Sequence, residues 1–529
     1  MTDSTSIALS TSRDQLFQSL SAQPTFDLAI IGGGATGLGL ALDAALRGLR
    51  VVLVEARDFA SGTSSKATKL VHGGVRYLAQ GNVSLVKEAL HERASFLRIA
   101  PHLAQPLAFV MPSYKCWETP FYGAGLKAYD LLAGRDGLGH TRFLNAQQTR
   151  QHLPGVQPRD LKGGVMYWDA QFDDARMAVA LARSAAAAGA CVLNYAEVER
   201  LRYEGDRVSG FDFRDTLTGD QYRINAQCVI NATGVWVDRI RQLDHQVAER
   251  YSKPIVSPSQ GVHLVVDRDF LPSTHALLVP KTQDGRVLFA VPWLGKVILG
   301  TTDTPTDDLS YEPKAFEQEI AFILREAGKY LQKAPTRADV RSVWVGLRPL
   351  VRPLSSGQDT KRLSREHTIL ISPSKLVTVT GGKWTTYRSM AEDVLQHVQQ
   401  EGLLPHLPAA TTAQHRLVGA QGTATAPRSL VSQSGVEAYG DEQALLQQLP
   451  GADRVLALGL TEAMVRFAAR YEYAITVEDV LARRYRLLFL DSSLAAQVAP
   501  QVAEILREER ATDPQLETFL SLCQQYQLA

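Results

Sequence analysis

Several features are scarce or missing in these 529 residues, and each absence narrows the reading. There are only four cysteines, Cys116, Cys191, Cys228 and Cys523, with no CxxC spacing. That excludes a disulfide scaffold and a cysteine zinc site, and makes free thiols in a reducing compartment the default. No metal is expected, and the lack of a D-x-D-x-D-G loop removes calcium regulation. No apolar run approaches the ~18 residues that span a bilayer. An excess of either charge is missing too: 56 Lys and Arg stand against 55 Asp and Glu, a formal net charge of +1. Non-specific binding to nucleic acid by counterion release is therefore excluded. Residues 1–25 are rich in Ser, Thr and Gln, lack the apolar stretch of a secretory signal, and read as a flexible arm with a short helix near 14–20.

What is present is an ordinary globular composition, 45% hydrophobic and 21% charged, in a chain long enough for roughly two to four structural units. The organising stretch is 26–56, FDLAIIGGGATGLGLALDAALRGLRVVLVEA. Residues 26–31 are an apolar run of buried-strand length, followed by Gly32-x-Gly34-x-x-Gly37, a helical segment over 35–47, Gly48 as its cap, and a second strand over 51–54 closing on Glu55. Strand, glycines, helix, strand and acid in that order form a dinucleotide-binding βαβ unit. Gly32 allows the tight turn, Gly34 lets backbone approach a pyrophosphate, and Gly37 lets helix pack on strand. The helix N-terminus supplies N–H groups for the anion. A carboxylate at the end of the second strand accepts hydrogen bonds from a ribose with a free 2′-hydroxyl, which favours FAD or NAD over NADP. Inside the helix, Asp43 and Arg47 are spaced for an i,i+4 ion pair.

The run 61–78, SGTSSKATKLVHGGVRYL, combines small residues that let backbone pass a flat ring with the polar groups of His72, Arg76 and Tyr77. An amphipathic helix over 84–99 follows. Residues 105–160 are rich in Pro, Gly and aromatics. Within them, 117–132 carries Phe121, Tyr122, Leu126, Tyr129 and Leu131 with Lys115 and Lys127. Such a stretch suits either a membrane interface or, as the commoner case, core and interdomain packing. An Ala-rich helix over 173–189 leads to strands at 191–194 and 207–214. The strand 228–231 runs into Ala232-Thr233-Gly234, which is either a second backbone approach to a cofactor or an ordinary turn. Residues 255–345 alternate imperfectly through four apolar runs, predicting an antiparallel sheet, with a helix at 313–332. Arg348 and Arg365 stand near apolar strands, where an arginine binds phosphate bidentately or pairs with a surface acid. A β-rich run at 376–380 feeds Gly381-Gly382-Lys383-Trp384-Thr385-Thr386 and a helix to about 400. The Pro- and Ala-rich stretch 404–427 reads as a linker, and helices are expected at 461–471, 477–489 and 494–507. Glu478, Asp479, Arg483, Arg484 and Arg486 suit a solvated or interdomain face.

Taken together, the segments IGGGATGLGLALDAALRG (31–48), SSKATKLVHGGVRYL (64–78), NATG, PW…GTTD (292–303), GLRPL (346–350), GGKWTTYRSMA (381–391) and AARYEYAITVEDVLARRYRLLFLD (468–491) resemble the FAD-dependent, quinone-linked glycerol-3-phosphate dehydrogenases, within the wider D-amino-acid-oxidase-like flavoproteins. The resemblance runs from about 26 to 508; Leu38 stands where the family usually has a smaller residue. It implies an α/β protein: a Rossmann-like FAD-binding domain (26–104 with 160–250 and 346–403), an antiparallel-sheet substrate domain (105–159 with 251–345), the linker 404–427 and a C-terminal all-helical domain (428–529). FAD would lie along Gly32, Gly34, Gly37 and Glu55, closed by Ser64, Ser65, Gly234, Gly381 and Gly382. The substrate site would use His72, Arg76, Tyr77, His263, Arg348, Arg365, Lys383 and Thr386. Cations there suit the phosphate of sn-glycerol 3-phosphate, and His72 or His263 would take the C2 hydroxyl proton. The family also implies a quinone acceptor, peripheral attachment to the cytoplasmic face of a membrane, no nucleic acid, and room for a homodimer. Two alternatives stay open from the residues: a glycerol-3-phosphate oxidase using oxygen, and an amino-acid or amine oxidase, for which so many cations are unneeded.

Overall fold

The computed structural model describes residues 11–23, 25–74, 78, 82–245, 254–282, 285–352, 367–422 and 429–528. Arg76, Tyr77 and Arg365 lie outside them.

The apolar runs at the start of the chain become the centre of an eight-stranded sheet. Phe26–Ile31 is flanked in parallel by Val51–Val54 and Gln221–Asn231, and the sheet continues to Cys191–Leu193 on one side and Val377–Gly381 on the other. These strands are buried on both sides, which is why they read as continuous apolar segments. One face is covered by the helix Ala35–Leu46, against which Asp174–Ala187 and Tyr387–Gln400 pack. The antiparallel ribbon Ala196–Glu204 and Arg207–Asp215 extends from Gln221–Asn231. The Asp43–Arg47 pair forms at 2.7 Å, but Asp43 is buried. It belongs to the helix packing, and the surface value of such pairs does not apply.

A second, ten-stranded sheet is built around Val256–Asp267, which pairs along its length with Val340–Val351 and also with Lys296–Gly300. All its pairings are antiparallel except that of Ala276–Val279 with Ala104–Ser113. Three segments depart from the expected division of the chain. Gly163–Phe172, read as part of the cofactor unit, pairs over its full ten residues with Ala104–Ser113. Leu70–Val71 pairs with Gly163–Phe172, and Val340–Val351 runs through the boundary expected at 345. For Gly163–Phe172 and Val340–Val351, long in-register pairing outweighs chain proximity.

The C-terminal region is helical, with Glu462–Tyr471, Ser492–Glu509 and Leu516–Gln525 as its main helices and a short hairpin of Val455–Ala457 with Leu460–Thr461. The stretch read as a linker is no loose tether. Leu404, Leu407, Leu417 and Ala420 are buried, Leu417 N–H donates to Ile99 O at 3.0 Å, and Val418 N–H to Ser184 Oγ at 3.0 Å. The charged run 478–486 is interdomain: Asp479, Arg483, Arg484 and Arg486 are buried, and Glu478 is partly exposed. Asp58 takes both Arg483 and Arg484, Arg176 meets Glu472 at 2.7 Å, and Asp479 receives Tyr195 Oη at 2.7 Å. Burial by itself would raise the Asp58 carboxyl, but Arg484 and Arg483 outweigh it and hold it below its ordinary range.

Candidate active site

A cleft opens at the carboxyl ends of the parallel strands, where such sheets place their ligands. Phe26–Ile31 ends in Gly32, whose φ of +112° and contact with Ala232 O (2.7 Å from an added Cβ) leave no room for a side chain. Gly34 caps the helix Ala35–Leu46. Gly37 sits so close that a Cβ would meet Gly32 O at 1.9 Å. Ala35 N–H donates to Ser64 Oγ at 3.0 Å, which ties the 61–65 turn to the helix start. Glu55, at the end of its strand, accepts from Gly33 N–H at 2.7 Å and Arg57 N–H at 3.0 Å. Burial raises its pKa against the pull of those two donors. On the far wall, Thr380 Oγ1 donates to Gly234 O at 3.0 Å, and Gly381 and Gly382 turn with φ of +83° and +73°. Trp384 Nε1 reaches back to Ser64 O at 2.8 Å.

Of the cofactor residues read from the sequence, Gly32, Gly34, Glu55, Ser64, Gly234, Gly381 and Gly382 line this cleft. Gly37 stands behind its wall. Ser65 is buried, and its carbonyl accepts from Lys69 Nζ at 2.7 Å and Arg486 Nη2 at 2.6 Å. The cleft runs from the Gly32–Gly34 turn and Glu55 to the Gly381–Trp384 turn. One end is closed by residues the sequence reading did not single out. Tyr311 stacks on Trp236 at 4.4 Å, Arg57 lies over Tyr311 at 3.9 Å, and Trp236 Nε1 donates to Leu309 O at 2.8 Å. Only the position of Trp236, directly after the Ala-Thr-Gly turn, signalled its place.

The substrate-side residues fall into two groups. His72, Lys383 and Thr386 gather at one turn: His72 N–H donates to Thr385 Oγ1 at 3.4 Å, Thr386 Oγ1 to Lys383 O at 3.4 Å, and Lys383 lines the cleft. His263 and Arg348 share one face of the second sheet. The register opposes Ser259 to Arg348, Gly261 to Gly346 and His263 to Trp344, and a period of two puts all six side-chain positions on the same side. Glycines at 261 and 346 make room there. A Cβ on Gly261 would meet Arg348 Nη2 at 2.3 Å, and one on Gly346 would meet Lys66 O at 2.6 Å. The Arg348 guanidinium donates to Gln260 O (3.2 Å), Thr301 Oγ1 (3.2 Å), Thr302 O (2.9 Å) and Asp303 (3.3 Å), which fixes its plane. His263 is buried, stacks on Trp344 at 5.2 Å, and has Nε2 2.9 Å from Thr68 Oγ1. Burial, with Lys69 and Arg348 adding, holds its pKa well below the usual value, so the imidazole is neutral at physiological pH.

The segment 64–72 joins these groups. Its Lys69 was missed by the sequence reading, since a lone lysine in a small-residue run carries no signal. Fully buried, Lys69 donates from Nζ to Asp174 at 2.7 Å and lies 5.2 to 5.4 Å from the rings of Phe489, Trp293 and Trp344. Burial first, then Arg486, lowers its pKa to about 7.

Comparison with known proteins is consistent along the chain. Residues 27–388 match the family of FAD dependent oxidoreductases, and 410–516 match the C-terminal domain of alpha-glycerophosphate oxidase. A mitochondrial glycerol-3-phosphate dehydrogenase of Mus musculus is 41% identical over 94% of this chain and 72% of its own length. One from Arabidopsis thaliana is 40% identical over 93% and 84% respectively. Among solved structures, the glycerol-3-phosphate dehydrogenase from Bacillus halodurans complexed with FAD superposes with a TM-score of 0.75 at 30% identity, covering 97% of both chains.

Proposed function

The chain belongs to the FAD-dependent oxidoreductases, in the family of the glycerol-3-phosphate dehydrogenases, and from that premise we propose that it oxidises sn-glycerol 3-phosphate to dihydroxyacetone phosphate and passes the electrons to a membrane quinone. The cleft fits FAD. Its floor is a glycine turn held so tightly that a Cβ at Gly32 or Gly37 would collide with backbone oxygen, its helix start presents N–H groups, and Glu55 stands where a ribose is bound. When bound there, FAD supplies the hydride acceptor.

The observation that carries the reading is the seating of Arg348 on a face cleared by two glycines, beside neutral His263. Four acceptors hold the guanidinium in one place, so its positive charge faces a phosphate from a fixed position, and a bidentate grip requires it to exchange some of those acceptors. Arg348 and Lys383, with Arg76, Tyr77 and Arg365 from the sequence reading, hold the phosphate. Thr386 orients the polyol. A neutral imidazole accepts the C2 hydroxyl proton, and His72 or His263 is the base in this reading. Among the described residues no helix is long and apolar enough to cross a membrane, and we assign the contact with the quinone pool to peripheral attachment.

The test is anaerobic bleaching of the bound flavin on adding sn-glycerol 3-phosphate, with glycerol and a D-amino acid as controls. Rapid bleaching by the phosphate ester alone is expected, followed by faster reoxidation with a quinone than with air. Equal bleaching by the D-amino acid, or none by the ester, overturns the assignment.

A further inference from the structure

The helix Glu118–Ala133 has two unlike faces. Inward, Leu126, Tyr129 and Ala133 join the core. Tyr129 Oη accepts from Gly73 N–H at 2.8 Å, next to His72, and donates to Asp169 at 2.9 Å. Outward, positions 117, 121, 124, 128 and 131 form one exposed stripe. Trp117 is 53% exposed, Phe121 66% and Leu131 83%, and Phe143 from the neighbouring strand lies against the helix at Gly123, itself 50% exposed. Among the described residues eight large apolar side chains are exposed, and these are four of them. Trp117, Phe121 and Tyr122 pack on one another with centroids 5.3 to 6.3 Å apart. The commoner expectation for this stretch, packing against another part of the chain, holds for the inner face and fails for the outer one.

The exposed charges beside the patch are cationic, while the acids of the same stretch are only partly exposed. Lys115, Lys127 and Arg135 are exposed, and among the described residues none of them forms an ion pair. The three acids of the stretch are engaged elsewhere: Glu118 accepts from Tyr114 and Lys115 N–H, Asp130 from Thr141 N–H at 2.6 Å, and Asp136 pairs with His91 at 3.2 Å. An apolar stripe with an interfacial tryptophan and a cationic rim complements an anionic lipid surface, with rings and Leu131 below the headgroups and the cations among them.

We propose that the outer face of Glu118–Ala133, with Phe143, is the surface by which this protein lies on an anionic bilayer. The proposal rests on the peripheral-membrane reading above and names the part of the molecule that carries it. The test is co-sedimentation of the flavin-loaded protein with vesicles of phosphatidylcholine alone and of phosphatidylcholine mixed with phosphatidylglycerol, comparing the native chain with the double variant Phe121→Glu, Leu131→Glu. The native protein is expected to bind the mixed vesicles, and the variant to bind them at least about tenfold more weakly, with turnover on a water-soluble dye acceptor unchanged. Leu131→Ser, at an almost fully exposed position that cannot disturb the fold, should give a smaller loss in the same direction. A double variant that stays on the vesicles overturns the assignment of this face and leaves peripheral attachment standing. A native chain that binds neither vesicle overturns the attachment itself. If sedimentation velocity shows a dimer that the double variant dissociates, the face is an interface between copies and the lipid proposal falls.

Discussion

At the cofactor cleft the decisive contacts are made by backbone: Gly33 N–H to Glu55, Ala35 N–H to Ser64, and Gly234 O to Thr380, with glycines wherever a Cβ would intrude. At the junction with the C-terminal helices they are made by buried charges: Asp58 with Arg483 and Arg484, Glu472 with Arg176, Asp174 with Lys69 and Arg486. The two regions fail in different ways. The cleft is intolerant of added volume, whereas the junction is intolerant of an uncompensated charge, because an ion left alone in a low-dielectric interior keeps its desolvation cost and loses its partner.

The sharpest way to break this contrast is Asp58→Asn, which keeps the shape and leaves buried Arg484 without its carboxylate, while Arg483 keeps Glu478 and Asp479. A loss of about 3–5 kcal/mol in denaturant unfolding is expected; a loss under about 1 kcal/mol would mean the junction is held by packing alone. Next is Gly37→Ala, whose methyl would collide with Gly32 O. Flavin affinity measured by titration of the apoprotein should fall about tenfold or more, as overpacking of ~1–3 kcal/mol requires, and unchanged affinity would show that the cleft yields. Arg348 is the intermediate case, a charge seated on backbone acceptors. Arg348→Ala should raise KM for the phosphate ester roughly ten- to a hundredfold, the ~1.5–3 kcal/mol of a charge-assisted bond, while flavin stays bound. An unchanged KM removes Arg348 from the phosphate site.

The smallest effect is in pH. Folded, His263 stays neutral; unfolded, it takes up a proton below about pH 6.5. The unfolded state therefore gains protons as pH falls, and this group costs stability below about 6.5 and nothing above it. The melting temperature should drop less steeply between about pH 6.5 and 5 in His263→Gln than in the native chain; parallel curves would show that the buried imidazole is protonated after all.

The same contrast explains what the sequence disclosed. The cleft was legible because its glycines, helix start and Glu55 fall in one short stretch with fixed spacing, and backbone geometry permits few other residues there. The second sheet was legible as strands but not as pairings, so Gly163–Phe172 was read into the wrong unit: alternation reports a strand's faces and is silent about its neighbour. The junction was not legible, since nothing local in Asp58 points to Arg483 and Arg484 more than four hundred positions on. Nor could composition say which side of 117–132 meets the core. His263 and Arg348 were named through family motifs, and the cause of their placement, two opposed glycines on adjacent strands, lies in a register that no single segment shows.

One consequence concerns the order in which the molecule is made. The segment 64–72 touches all three parts: Ser64 the cleft, Thr68 the second sheet through His263, and Ser65 the C-terminal region through Arg486. Synthesis proceeds from the N-terminus, and domains fold as they emerge. The cofactor fingerprint is therefore finished early, yet the Ser65 carbonyl waits for a guanidinium made more than four hundred residues later. A chain truncated before residue 486 would carry a complete dinucleotide motif with the Ser65 carbonyl unfastened.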